Sequence, residues 1–365
     1  MYFSHILKTK KIALGLVLGV FLTFCTCKTF AIQHEEASAE GAHAETEKEF
    51  NPSEVILEHI ADSHVWHLWG HTSIALPVIL YTDKGLETFS SEKFEHGHAD
   101  YTGKYYTYRL VKDKVNIVEG NDTLLSAATV LSLNKKLIDF SITRNVVSMW
   151  LSMIILVIIF LSVSSAYKKR EGKAPKGLQS FMEPIIMFVR DDIARPNIGY
   201  KYQRFMPLLL TVFFFIWINN LIGLVPFFPG GANLTGNIAV TFVLSLITLV
   251  VVNVNGNKYY WKHIFAPDVP VWLYPIMWPV ELVGIISKPF ALMIRLFANI
   301  TAGHIIVLSL ISLIFVFKSA AVSVVSVPFV VFMDVLELLV AALQAFIFTL
   351  LTALFIGTAI EEHHH

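Results

Sequence analysis

Residues 288–310, KPFALMIRLFANITAGHIIVLSL, decide how the whole chain is read. The run is apolar enough for a bilayer, yet it carries Arg295. An arginine in a bilayer helix costs from ~3 kcal/mol on insertion scales upward. Such a residue faces a partner, a bundle interior or water. Asn299 lies four positions on and shares its face. His304 lies nine positions on, half a turn away at ~100° per residue. The helix therefore presents two polar faces, one with a fixed cation and one with a titratable imidazole.

The neighbouring apolar runs carry matching groups. In VFMDVLELLVAALQAFIFTLL (331–351), Asp334 and Glu337 are three apart and Gln344 is seven beyond Glu337, so all three fall on one helical stripe. In PVELVGIISKP (279–289), Glu281 precedes Lys288 by seven, and Lys288 precedes Arg295 by seven. Taken singly, Asn220, Asn253 and Asn299 read as interhelical hydrogen-bonding residues. Arg295, His304, Asp334, Glu337 and Glu281 together read as an ion path, because an ionisable side chain inside a membrane is costly and is kept for function. Arginine does not release its proton in a protein, but it favours the ionised form of a nearby carboxylate. Histidine and glutamate relay protons. No membrane-embedded acid of this chain shares the face of Arg295, so the carboxylate it acts on is expected from a partner.

Composition agrees with a membrane protein. The 365 residues are 55% hydrophobic and 15% charged, with mean hydropathy +0.61, where a soluble domain carries about 25% charged residues. The formal net charge is zero, which gives no sign of nucleic-acid binding. The two cysteines, Cys25 and Cys27, support neither a disulfide framework nor a Cys-based zinc site.

Residues 1–31 read as a signal peptide or signal anchor: Lys8, Lys10 and Lys11 precede an apolar run, and Thr29-Phe30-Ala31 offers a cleavage site. Either reading exports the segment after residue 31. Residues 32–50 read as an acidic linker. Residues 51–142 read as a small periplasmic domain, weakly amphipathic over 54–69. Within it SIALPVILYTDKGLETF and YYTYRLVKDKVNIVEG form β-rich runs about a turn. His59, His64, His67, His71, His96 and His98 occur here without an HExxH frame; they read as surface histidines, and no metal or other cofactor is assigned.

Residues 143–360 read as the membrane domain and 361–365 as a cytoplasmic tail. The spans 145–167, 205–228 and 234–254 are each near the ~20 residues that a bilayer requires. Nine Lys/Arg lie between 168 and 204, and Lys258 and Lys262 come after the third span. By the positive-inside rule the 168–204 and 255–270 loops are cytoplasmic. The exported domain then lies outside, in agreement with the signal, and an odd number of crossings places the C-terminus in the cytoplasm. The last two runs, 289–317 and 328–360, span about 43 and 50 Å as helix, against a hydrocarbon core of ~30 Å. They are expected to tilt or kink, as a slanted pair along a curved partner would. The expected fold class is an all-α polytopic membrane protein with about five embedded helices and a small N-terminal domain with some β structure.

SKPFALMIRLFANITAGHII (287–306) and LQAFIFTLLTALFIGTAIEEH (343–363), supported by WINNLIGLVP (217–226) and TGNIAVTF (235–242), closely resemble subunit a of the membrane sector of F-type ATP synthases. The resemblance covers most of the chain from about residue 143 onward. It implies that Arg295 faces a ring of c subunits, with Asn299 and Gln344 beside it. It places Glu281 toward the cytoplasmic outlet and His304 with Glu337 on the periplasmic inlet, with Asp334 and Lys288 as supporting groups. It implies no catalytic site in this chain, and c-ring, b-type stalk, F1 (indirectly) and lipids as partners. It also implies two half-channels that couple proton flow to ATP synthesis. The 51–142 domain is longer and more histidine-rich than the family pattern. Three other readings stand beside it. A proton-coupled secondary transporter requires internal repeats, and none is visible. A membrane metalloenzyme requires three or four clustered ligands, and a bare assembly scaffold requires Arg295 to be dispensable.

Overall fold

Period-two alternation builds the N-terminal part. The computed structural model of the chain describes residues 56, 62–69, 72–97, 99–111, 113–118, 137–225, 231–265, 270–317 and 319–361. The segments read as signal and linker lie outside these. Two compact units emerge among the described residues, one of 62–146 with 301–336 and one of 147–300 with 337–361.

In the first unit β1 (Val65–Trp69) pairs with β2 (Thr72–Ala75). β3 (Pro77–Thr82) and β4 (Gly85–Ser90) form the hairpin expected in the first β-rich run. Residues 101–102 form β5, and β6 (Thr107–Val111) and β7 (Lys114–Val118) form the second expected hairpin. β8 (Leu137–Asp139) returns to β3, giving orders β4-β3-β8 and β5-β6-β7. Asp113 turns the second hairpin at φ 60°, a left-handed conformation that Asp tolerates better than most residues. The inward faces bury Val78, Leu80, Phe94, Tyr108 and Ile117. Glu87 is buried among them, and its carboxylate accepts the Tyr105 and Lys104 backbone N–H groups at 2.7 and 3.2 Å, which offsets its desolvation.

α1 (Arg144–Lys169) starts from this unit. The first turn of a helix leaves N–H groups without intrahelical partners. Here Asp62 Oδ1 accepts the Asn145 N–H at 3.1 Å, and the Ser63 carbonyl accepts the Arg144 N–H at 2.9 Å. A cap supplied from so far upstream has no local sequence signature.

His64 corrects the expectation of surface histidines: it is 3% exposed. Its Nε2 lies 3.5 Å from Asp139 Oδ2, and this carboxylate is what permits its burial. Burial pushes the imidazole down, but the Asp139 carboxylate beside it, helped by Asp62 and Asp113, holds it above its ordinary 6.5. Burial pushes Asp139 up, and the nearby His64 with the hydrogen bonds from Ser141 leave it below its ordinary 3.8. The raised histidine adds stability that is complete below its unfolded value and lost as pH rises through its folded value. The lowered aspartate adds stability that is complete above its unfolded value and lost as pH falls. Burial holds Asp62 above 3.8 despite Thr143, Asn145 and Arg144, an opposing effect that sets in as pH rises through the acid range. The His64–Asp139 pair therefore contributes most between about pH 4 and 6.5. Hydrogen exchange of the β3 amides in the full chain, corrected for intrinsic rates, should accelerate as pH rises beyond that window. His64→Gln should flatten the dependence. His59, His71 and His98 lie outside the described residues, among which no three His, Cys, Asp or Glu side chains gather as metal ligands would.

The remaining helices are α2 (Leu178–Phe188), a π-helical stretch Val189–Ala194, α3 (Arg195–Ile198), α4 (Tyr202–Leu224), α5 (Ile238–Val254), α6 (Lys258–Phe265), α7 (Tyr274–Phe317) and α8 (Ala320–Ile360). Among the described residues four helical runs are long and apolar enough to cross a membrane, or five if the α5–α6 pair, bent by 101°, is one span. This matches the expected number.

Two details differ from the sequence reading. The connection 168–204 is largely helical, with Met182, Ile186, Val189 and Ile193 buried at helical spacing. Two of its nine cations are paired on the helix surface: Asp191 accepts from Arg190 at 2.9 and 2.7 Å and from Arg195 at 2.7 Å. The last two helices are also longer than expected, at 44 and 41 residues. They run through Pro279, Pro289 and Pro328 instead of starting at a proline; membrane helices tolerate proline where neighbours satisfy the freed backbone groups.

α4 is central to the second unit, burying Leu209, Phe213, Phe214 and Ile216. α8 joins the same core with small residues, Ala345, Ala353 and Ala359 among them, and small residues let membrane helices approach closely. Gly357 is the tightest case, because a Cβ there would strike the Asn197 backbone carbonyl. Gly357→Val should destabilise the protein by about 1–3 kcal/mol, as overpacking does, measured as earlier thermal unfolding in detergent. The end of α8 is held by Asn257, whose backbone N–H donates to the Ala359 carbonyl at 2.8 Å.

Candidate functional site

α7 is two-faced over residues 288–300. Pro289, Leu292, Met293, Leu296 and Ile300 are buried, while Lys288, Ala291, Arg295, Ala298 and Asn299 are exposed. The spacing of the buried residues alternates three and four, so one stripe meets the bundle and the Arg295 stripe looks away from it. Among the described residues Arg295 makes no ion pair.

Asn299 Nδ2 donates to Gln344 Oε1 at 2.9 Å. Gln344 is 1% exposed, and its Nε2 has no hydrogen-bond partner among the described residues. This bond fixes the face of α8 that lies beside the Arg295 turn. The α8 turn is anchored from behind: Asn220 Nδ2 donates to the Ala341 carbonyl at 3.1 Å, and its Oδ1 accepts from Thr235 Oγ1 at 2.6 Å. Asn220 is thus an interhelical tie. Asn253 acts more locally, accepting from the Tyr260 hydroxyl at 3.0 Å across the α5–α6 bend. Thr248 and Thr352 meet at 3.5 Å between α5 and α8, a buried hydroxyl contact the sequence did not single out.

Glu281 is partly buried and lies 3.7 Å from His263 Nδ1. His263 escapes sequence reasoning, since nothing in KYYWKHIF points to a partner eighteen residues on. Lys288 Nζ stands 5.7 Å from the Phe355 ring centroid and lines a small cleft with Thr248, Tyr260 and Pro289. Glu337 is buried and belongs with Gln344 to the unit of Arg295, whereas half-buried His304 and exposed Asp334 belong to the other unit.

An outward-facing intramembrane arginine, backed by an Asn–Gln bond, suits stabilisation of a carboxylate outside this chain. Residues 146–357, more than half of the chain, match the family model described as ATP synthase A chain. The chain belongs to that family. Residues 55–140 match a second model, a domain of unknown function (DUF8433). Among curated relatives, the ATP synthase subunit a of Chloroherpeton thalassium is 49% identical over 232 residues, covering 62% of this chain and 69% of the relative. That of Chlorobium phaeobacteroides BS1 is 49% identical over 235 residues, covering 62% and 68%. A relative of the same name from Anaeromyxobacter is 38% identical over 346 residues, covering 91% of this chain and 75% of its own. That alignment reaches into the N-terminal region, so the extra length there is shared with at least one family member.

Proposed function

We propose that the chain is the proton-channel stator subunit of a rotary F-type ATP synthase, with Arg295 as the fixed charge that discharges a carboxyl of the c-subunit ring. The observation that carries the reading is an exposed arginine on a membrane helix, without an ion-pair partner among the described residues, in a chain of the ATP synthase A chain family. The counter-charge then belongs to another subunit.

Protons enter from the periplasm through one half-channel, past His304 and Glu337, and neutralise a ring carboxyl that can then face lipid. After nearly a full turn the carboxyl meets Arg295, ionises, and releases its proton to a cytoplasmic half-channel marked by Glu281. Each charge crossing gains ~2.3 kcal/mol per 100 mV. Asn299 and Gln344 hold the arginine's surroundings; Lys288 and Asp334 bias the local charge. Arg295 also blocks a direct path between the half-channels, since a proton carrier there would meet a fixed cation.

The chain has no catalytic site of its own in this reading; ATP chemistry belongs to the F1 sector, reached indirectly. Its direct partners are the c ring, b-type stalk subunits and lipid. It sits in a bacterial inner membrane with residues 51–142 periplasmic, 143–360 embedded and the C-terminus cytoplasmic. The overlong α7 and α8 suit a slanted pair running along a curved ring. ATP-driven acidification of vesicles carrying the assembled complex tests the proposal, and retained pumping by Arg295→Ala would overturn it.

A further inference from the structure

α6 is laid along the first turns of α7 by three contacts in matching order. The Trp278 indole N–H donates to the Phe265 carbonyl at 3.0 Å. One turn further along α7, His263 Nδ1 lies 3.7 Å from Glu281 Oε1. Two turns beyond that, Tyr260 and Lys288 line the same small cleft. As the α7 number rises the α6 number falls, so the helices run side by side and His263 is held opposite Glu281 by its neighbours on both sides. The His263 side chain is 68% exposed and that of Glu281 only 24%. One partner is open to solvent and the other is largely covered.

From this geometry we infer that His263 is the outermost proton-exchanging group of the half-channel marked by Glu281. The inference rests on the function proposed above. A protonated Glu281 gives up its O–H proton to Nδ1 of a neutral imidazole, leaving a carboxylate and an imidazolium, and the imidazolium then releases the Nε2 proton to water. The reverse sequence loads Glu281 when the rotor runs the other way. The observed 3.7 Å must close by about 1 Å for direct transfer, which a rotation of the exposed ring supplies. Histidine suits the task because it exchanges protons near neutral pH. Tyr260 on α6 also senses the charge of Glu281, and Lys288 on α7 shares a cleft with Tyr260.

The test uses the whole complex in inverted vesicles, with the α6 side facing the medium, and reads proton flow per assembled complex at low buffer concentration. His263→Gln keeps hydrogen bonding but carries no proton. It should slow flow by about tenfold, less than the ~100-fold lower end of general acid–base effects because water substitutes in part. An impermeant sulfonate buffer titrating near pH 7 should restore flow when added outside and not when trapped inside. His263→Asn, compared in parallel, guards against an assembly defect specific to one variant. Unchanged flow in both variants would overturn the inference. So would slowing that external buffer does not relieve, since that marks a packing role. Arg295→Ala in the same vesicles separates the two ideas: if it loses pumping while His263→Gln is normal, only the His263 assignment falls, and if it pumps normally, the proposed function falls first.

Discussion

Arg295→Ala should abolish ATP-driven acidification of vesicles while the complex still assembles. Arg295 stands on an exposed stripe of α7, away from the buried Leu292–Leu296–Ile300 face, so its removal leaves no hole in the bundle. The loss should be functional. Removing a fixed charge aimed at a reacting group in a low-dielectric site costs ~100- to 1000-fold in rate. Here it also opens a direct leak, so coupled pumping should fall below detection. Arg295→Lys should fail nearly as badly, because an ammonium on a flexible stem does not reproduce the planar, multiply donating guanidinium. Rotor-driven ATP hydrolysis and passive proton leak, measured together, check the account: uncoupled hydrolysis with a raised leak is expected, and tight coupling in either variant contradicts it.

The second large effect concerns His304 and Glu337. Glu337 is 5% exposed and His304 half-buried, and the function proposed above puts both on the periplasmic inlet. Replacing either by Ala should slow proton flow by about 100-fold or more, the usual scale for losing a positioned acid or base. If the two act as one relay, His304→Glu combined with Glu337→His should recover a substantial part of that flow. Interacting sites depart from additivity and independent ones do not. A double variant no better than the worse single variant would refute the relay. Passive flow through the membrane sector, with F1 removed, isolates this step from ATP chemistry.

Much of this site is legible along the chain because membrane physics leaves few ways to keep a charge in an apolar helix. Arg295, Asn299 and Gln344 stand out by that cost and by helical period, and the Asn299–Gln344 bond at 2.9 Å joins two of them directly. The two hairpins are equally legible, as alternation and turn residues are local. His263 escaped because its meaning depends on the start of α7 passing beside α6, which brings together residues eighteen apart on two different helices. The burial of His64 escaped because a single carboxylate, Asp139, reverses its usual preference for solvent. The helical character of 168–204 escaped for a similar reason: Arg190 and Arg195 share the Asp191 carboxylate on a helix surface, and counting charges does not count pairs.

The sequence by itself determined the class of protein and the helices that carry charge, and it singled out Arg295. Each of these comes from local composition and period in a solvent that punishes exposed polar groups. Only the tertiary structure decided which side chains meet: Asn299 with Gln344, His263 with Glu281, Asp62 with the first turn of α1, and Gly357 with the Asn197 carbonyl. Those contacts join residues far apart in the chain, and helix packing rather than helix formation selects them. Arg295 belongs to both sides: its cost could be read from one helix, but its outward direction needed the buried stripe behind it.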